Sequence, residues 1–166
     1  EKRVFVPIRA MPRRVINAFL SAEDKNFYSH QGVDFIGVAR SVIINVKNLG
    51  KQRRMVGAST ITQQVAKNFL LTQEVTWERK FKEAILAFRI ERAFTKDRIL
   101  ELYLNEIYLG YGSYGVATAA LNYFDKSLDQ LSIGEVAYLA ALPKAPNNYH
   151  PFKRPDAAVM RRDWVV

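Results

Sequence analysis

The sequence predicts a mainly α domain, and three observations carry that prediction. Apolar residues recur at helical spacing over most of the chain. Helix-start signatures recur too, among them Thr60-Ile61-Thr62-Gln63 and Ser132-Ile133-Gly134-Glu135. No stretch shows a strong strand pattern, and there are no repeats or low-complexity tracts. The 166 residues fit one domain, 1–166, with 49% hydrophobic residues to fill a core.

Composition excludes several chemistries. There is no cysteine, so disulfides, thiolate metal sites and thiol nucleophiles are ruled out. The two histidines are His30 and His150, so a zinc site would need carboxylates to complete it. A formal net charge of +9 favours polyanionic partners: nucleic acid, anionic lipid headgroups or a phosphorylated substrate. No run of about 18 apolar residues offers a membrane span, and no signal-peptide pattern opens the chain. It begins in mid-phrase at Glu1-Lys2-Arg3 and stops inside an apparent helix at Trp164-Val165-Val166, so it reads as a fragment of something longer.

In order along the chain, residues 1–11 read as an extended entry. Pro12 suits the first position of a helix running to about Glu23. Ile16, Leu20 and Glu23 fall on one face of it, so Glu23 finishes an apolar stripe. A carboxylate placed there is partly desolvated, which raises its pKa and makes it a candidate general base or acid. Asp34 is a plausible N-cap for Phe35 to Val46, which is apolar nearly all round. That segment reads as a buried helix, with a helix lying in a membrane interface as the alternative. Lys47 to Gly57 is basic and glycine-bracketed, and reads as a mobile loop with a substrate-gating role.

Thr60 and Gln63 have capping-box spacing at the start of the next helix. Thr60, Gln64 and Lys67 share one face, whereas Ile61, Val65 and Phe69 share a face suited to the core. Hydroxyls, amides and a lysine at a helix start suit an anionic ligand. Thr76 caps a helix to about Ala93, with Trp77, Phe81, Ala84, Ile85 and Phe88 as its core stripe. Arg79 and Glu83 lie on the opposite side, which also carries Leu86 and Ile90. That helix therefore reads as buried on both faces, with Arg79 and Glu83 lining a cleft. Lys96 to about Leu109 is helical, with Ile99, Leu100, Tyr103, Leu104 and Ile107 at core spacing. Asn105 is its polar exception, expected to be a buried hydrogen-bonding residue. A glycine and tyrosine turn, 110–115, leads to a helix from Val116 to Phe124. Ser132 and Glu135 cap a helix that Pro143 stops. Pro155-Asp156 opens a last helix carrying Arg161 and Arg162.

Taken together the motifs resemble a known family. Glu23-Asp24-x-x-Phe27-x-x-His30-x-Gly32 looks like the first signature of the peptidoglycan glycosyltransferases. These are the lysozyme-like domains of class A penicillin-binding proteins and monofunctional transglycosylases. Gly57-Ala58-Ser59-Thr60-Ile61-Thr62-Gln63-Gln64-x-x-Lys67-Asn68 resembles the second signature and Arg79-Lys80-x-x-Glu83 the third. Lys96-x-x-Ile99-Leu100-x-x-Tyr103-Leu104-Asn105 resembles the fourth, and Arg161 to Val166 the fifth. Pro143-Lys144-Ala145-Pro146 is similar to type 1A members. Ala58 is glycine in many relatives, a small-for-small change.

The resemblance implies a lysozyme-like helical domain with an active-site cleft that polymerises lipid II into β-1,4-linked glycan strands. Undecaprenyl pyrophosphate leaves with inversion, at the outer (periplasmic) face of the bacterial cytoplasmic membrane. Glu23 is then the base, and Glu83 the second carboxylate, orienting groups or stabilising the electron-poor sugar carbon. Lys67 and Arg79 grip the pyrophosphate. Asp24, Phe27, His30, Thr60 and Gln64 shape the cleft or bind substrate, with His30 a structural hydrogen-bonder more than a proton carrier. Arg53 and Arg54 meet lipid headgroups or the acceptor. No cofactor is required by the sequence, and the clamps leave room for a divalent cation (Mg or Mn) without demanding one. The implied partners are lipid II, the growing glycan chain, an anionic membrane surface, and an N-terminal membrane helix and C-terminal transpeptidase domain in the parent protein.

Two rivals make different demands. A lysozyme-like glycan hydrolase or lytic transglycosylase would also use a helix-end glutamate, but its leaving group gives Gln64, Lys67 and Arg79 no pyrophosphate to hold. A basic nucleic-acid binder predicts salt-steep affinity, but no recognition-helix signature is present and the carboxylates are misplaced for it.

Overall fold

The computed structural model describes residues 4–49, 59–70 and 76–144, with residues 162 and 165. The expected loop with Arg53 and Arg54, the Gly57-Ala58 start of the second motif, and Arg161 lie outside the described residues. Among those residues the fold is mainly α, as predicted. The described residues contain the seven α-helices given below, and their β-pairing is one isolated bridge between Tyr108 and Tyr114. The chain divides into two compact units, Glu1–Lys25 with Leu100–Val166, and Asn26–Ile99.

The first unit contains α1 (Arg13–Glu23), α5 (Lys96–Glu106) from Leu100 onward, α6 (Val116–Phe124) and α7 (Ile133–Ala141). Pro12 is the N-cap of α1 rather than its first helical residue, with ψ of 135°. Val15, Ile16, Phe19 and Ala22 form the buried side of α1, which packs on α7. Val136, Ala137, Leu139, Ala140 and Ala141 are buried on α7, and the three alanines allow close approach. The predicted capping box is present: Ser132 Oγ accepts from Glu135 N–H, and Glu135 accepts from Ser132 N–H. Helix α7 ends at Ala141, and Pro143 sits inside a short 3₁₀ turn that follows.

The N-terminal segment is strapped to α5. Val6 N–H donates to Asn105 Oδ1 at 2.7 Å, and Asn105 Nδ2 donates to Val6 O at 2.9 Å and Glu101 O at 2.8 Å. Ile8 N–H donates to Glu101 Oε2 at 2.9 Å. Asn105 is thus the buried hydrogen-bonding residue that its apolar setting implied. Asn105→Ala removes the side-chain partner of the half-buried Val6 N–H and of the Val6 and Glu101 carbonyls. It is expected to cost about 1–3 kcal/mol, read as a lower urea midpoint at unchanged m.

Helix α5 ends at Glu106, short of the expected Leu109. The cause is the turn that follows, where Gly110, Tyr111, Gly112 and Gly115 all have positive φ. It returns Gly115 N–H to Ile107 O at 2.7 Å. A Cβ on Gly115 would lie 2.5 Å from Asn105 O, so the backbone approach itself demands glycine.

The second unit contains α2 (Phe35–Lys47), α3 (Ile61–Phe69), α4 (Trp77–Ala93) and the first turn of α5. Asp34 caps α2 as predicted, accepting from Gly37 N–H at 3.1 Å. That bond, with a smaller contribution from Asn26, holds the Asp34 carboxyl below its ordinary value. A depressed carboxyl stabilises the fold above the unfolded pKa, about 3.9, and this contribution fades as pH falls through the lower folded value.

Two expectations fail here. Helix α2 is not a buried helix: among its side chains only Ser41 is buried, and Phe35 and Ile36 are 68% and 72% exposed. The predicted core stripe of α4 is its open side, with Trp77 92% and Phe81 69% exposed. Its buried residues are Arg79, Glu83, Ala87 and Ile90, so α4 is not buried on both faces. Periodicity shows which residues share a face, not which face meets a neighbour. Helix α3 packs on α4, whose buried side is the one that carries Arg79 and Glu83. Phe69 is likewise exposed, although Ile61 and Val65 enter the core as predicted. Phe35 of α2 stacks on Phe88 of α4 at 6.3 Å between ring centroids.

Candidate active site

In the first unit, Glu23 is the last residue of α1 and Asp24 its C-cap, with Asp24 N–H bonded to Leu20 O at 2.9 Å. Leu20 and Glu23 are half-buried, Ile16 and Asp24 are buried, and Glu23 Oε1 is shielded from solvent. Phe19, one turn before Glu23, meets Tyr103 edge-on at 6.3 Å. Burial, with the charges of Glu23 and Asp24, pushes the Tyr103 phenol well above its usual range.

In the second unit, the second and third motifs join through their helix starts. Thr60 Oγ1 accepts from Gln63 N–H at 3.0 Å, and Gln63 Oε1 accepts from Thr60 N–H at 2.9 Å. The same Thr60 hydroxyl donates to Gly32 O at 2.6 Å, which fastens the turn after the first motif to the head of α3. Gly32 has φ of +112°, and a Cβ there would come within 3.0 Å of the Ala87 backbone, so that turn lies directly on α4. Thr76 caps α4 through Arg79 N–H at 3.1 Å. Lys80 Nζ donates to Ser59 Oγ at 3.1 Å and to Glu83 Oε1 at 3.3 Å.

Arg79 and Glu83 stand one turn apart on the buried side of α4, 4% and 1% exposed. Arg79 Nε and Glu83 Oε2 have no hydrogen-bond partner among the described residues. Buried polar atoms without partners are uncommon in native folds and mark places where a ligand or water completes the bonding. On α3, Lys67 is exposed and Gln64 half-buried. The cationic end of Lys67 is therefore available, whereas the Thr60 hydroxyl is committed to the cap.

Phe27 and His30 complete this unit. Phe27 is fully buried, and Lys96 Nζ lies 4.5 Å from its ring centroid. Lys96 pairs with Glu91 at 2.7 Å, and Glu91 also accepts from Thr62 Oγ1 at 2.7 Å. His30 Nδ1 accepts from Gly32 N–H at 3.1 Å, and the imidazole lies edge-on to Phe27 at 6.0 Å. It lines a cavity of about 500 Å³ together with Tyr28, Phe88, Glu91, Arg92 and Lys96.

Lys80, Ser59 and the Thr62–Glu91–Lys96 chain make bonds for which the motifs alone imply no role. The i, i+3 spacing of Lys80 and Glu83 was a usable signal for the first. Nothing local announced the others. Among the described residues no group of three or more His, Asp or Glu side chains forms a metal-binding cluster.

Comparison with known proteins places these motifs. The Transglycosylase family model matches residues 1–166. Penicillin-binding protein 1A of Rickettsia bellii (strain RML369-C) is 57% identical over 166 residues, covering 100% of this chain and 21% of that protein. The Aquifex aeolicus (strain VF5) protein of the same name is 52% identical over all of this chain and 22% of its own length. The chain thus spans about a fifth of the length of these curated relatives. The crystal structure of Penicillin-Binding Protein 1A from Haemophilus influenzae matches 99% of this chain and 14% of that chain, with a TM-score of 0.54 and 28% identity. A helical fold, a carboxylate pair at the end of α1, capped helix starts bearing cations, and a family match over the full sequence agree: this chain belongs to the transglycosylase family.

Proposed function

We propose that the chain is a peptidoglycan glycosyltransferase domain that extends glycan strands from lipid II. The observation that carries this reading is the buried Arg79–Glu83 face of α4, whose Nε and Oε2 atoms lack partners among the described residues. A guanidinium held in a dry setting with its Nε–H unpartnered among the described residues suits a phosphate oxygen.

In this reading Glu23 takes the proton from the acceptor sugar hydroxyl. The hydroxyl oxygen forms a bond to the anomeric carbon of the growing chain. The bond from that carbon to the pyrophosphate oxygen breaks with inversion, and the proton remains on Glu23. Lys67 and Arg79 neutralise the charge that develops on the departing undecaprenyl pyrophosphate. Glu83, bound through Oε1 to Lys80, orients that end of the site or stabilises the electron-poor sugar carbon. Asp24 and Gln64 bind substrate. Phe27, His30 and Thr60 hold the backbone that carries the site, which agrees with the burial of Phe27 and the bonds of His30 and Thr60.

A membrane-surface location follows from the lipid substrate. The exposed apolar side chains of α2, a net charge of +9 and the exposed Trp77 support it. No described helix is long and apolar enough to cross a membrane. In the parent protein we place a membrane anchor and a transpeptidase domain outside this stretch, at the outer face of the cytoplasmic membrane. A divalent cation (Mg or Mn), if one were bound with the substrate, would add positive charge for the pyrophosphate beside Lys67 and Arg79.

Incubation with lipid II and gel separation of products tests the reading. Glycan polymer is expected. Digestion of preformed glycan without polymer would assign the chain to the hydrolytic alternative.

A further inference from the structure

The Tyr103 side chain packs as core, yet it carries a polar atom that packing does not need. Tyr103 is 2% exposed, and its hydroxyl has no hydrogen-bond partner among the described residues. Phenylalanine would fill the same space without leaving a buried hydroxyl unsatisfied, which is costly. A group kept under those terms calls for a purpose.

Its surroundings suggest one. The ring sits edge-on against Phe19 at 6.3 Å and 75°. Glu23 follows Phe19 by four residues in α1, so both project from one face, one turn apart. The other polar groups of this part of α5 are committed elsewhere: Asn105 holds Val6, and Glu101 holds Ile8 N–H. The charged groups acting on the phenol are Glu23 and Asp24, both from the end of α1. Burial and those two charges keep it protonated, and therefore a donor.

We infer that Tyr103 is a positioning residue for Glu23, its buried O–H donating to the Glu23 carboxylate in the reacting complex so that the base is oriented and kept ionised. Catalytic hydrogen bonds often tighten only when substrate is bound, which accommodates a hydroxyl without a partner in the free protein. The inference rests on the proposed role of Glu23 as base.

The test uses the full-length protein and the pH dependence of kcat/KM for lipid II polymerisation. Tyr103→Phe is expected to move the acidic limb to higher pH by about one unit, because a carboxylate that loses a donor in an apolar setting holds its proton more tightly. KM is expected to change little and kcat to fall about tenfold. Replacing Tyr103 with a fluorinated tyrosine keeps the shape and makes the phenol a stronger donor, so the limb should move to lower pH. That second variant answers the question even if Tyr103→Phe folds poorly. If both variants give the wild-type profile, the inference is overturned, and the hydroxyl serves Asp24 or nothing. Glu23→Gln is assayed alongside, with Tyr103 intact. If that variant still polymerises, the base assignment fails and the inference goes with it. If it is inactive while the Tyr103 profiles stay unmoved, the base stands and only the Tyr103 role is lost.

Discussion

Glu23→Gln is expected to slow chain extension by about 10²–10⁴-fold, while lipid II still binds. Glutamine keeps the shape of the side chain at the end of α1 and its capacity to accept one hydrogen bond, but it cannot take a proton. In energy the loss is about 3–5.5 kcal/mol of barrier, and it should fall on kcat with KM nearly unchanged. The protein is expected to melt at or slightly above the wild-type temperature, since a carboxylate with a shielded Oε1 is replaced by a neutral group. Steady-state kinetics on lipid II, with a thermal melt of the same sample, separates loss of chemistry from loss of fold.

Arg79→Ala is expected to be the other severe lesion, and to act twice. Removing a fixed cation from the departing pyrophosphate should lower the rate about 10²–10³-fold. It also strips α4 of the cation one turn from Glu83, which is 1% exposed and, among the described residues, is bonded by the half-exposed Lys80. A buried charge left with less compensation costs about 3–5 kcal/mol, so denaturant unfolding should show the variant less stable. Arg79→Lys discriminates between the two effects. It restores charge but not the planar fork, so stability should recover more than activity does.

The parts legible in the sequence were those set by neighbours in the chain. The caps at Asp34, Thr60, Thr76 and Ser132 appear where their residue types and spacing put them, because each bond spans three residues. Helix α6 has the boundaries expected. Asn105 was legible because an amide in an apolar run must find partners. The sidedness of α2 and α4 was not legible. Trp77, Phe81 and Ile85 form a sound amphipathic stripe, and nothing in those residues says that the opposite side is the buried one.

Site chemistry followed the same division. Arg79 and Glu83 stood out because they share their side of α4 with Leu86 and Ile90. The bond from Lys80 to Ser59 depends on the head of α3 meeting α4, as does the tie from Thr60 to Gly32 on the packing within that unit. The Tyr103 hydroxyl was hidden by its ring, which scores as core in any apolar pattern.

In the proposed function Glu23 moves the proton, and Lys67 with Arg79 holds the diphosphate. Affinity for undecaprenyl pyrophosphate, measured against undecaprenol in the wild type and in three variants, tests that division most directly. Lys67→Ala and Arg79→Ala should each lose much of the preference for the diphosphate lipid, roughly 10-fold or more for a charge-assisted contact, and Glu23→Gln should keep it. Full retention of that preference by both cation variants, or its loss in Glu23→Gln alone, would contradict the account.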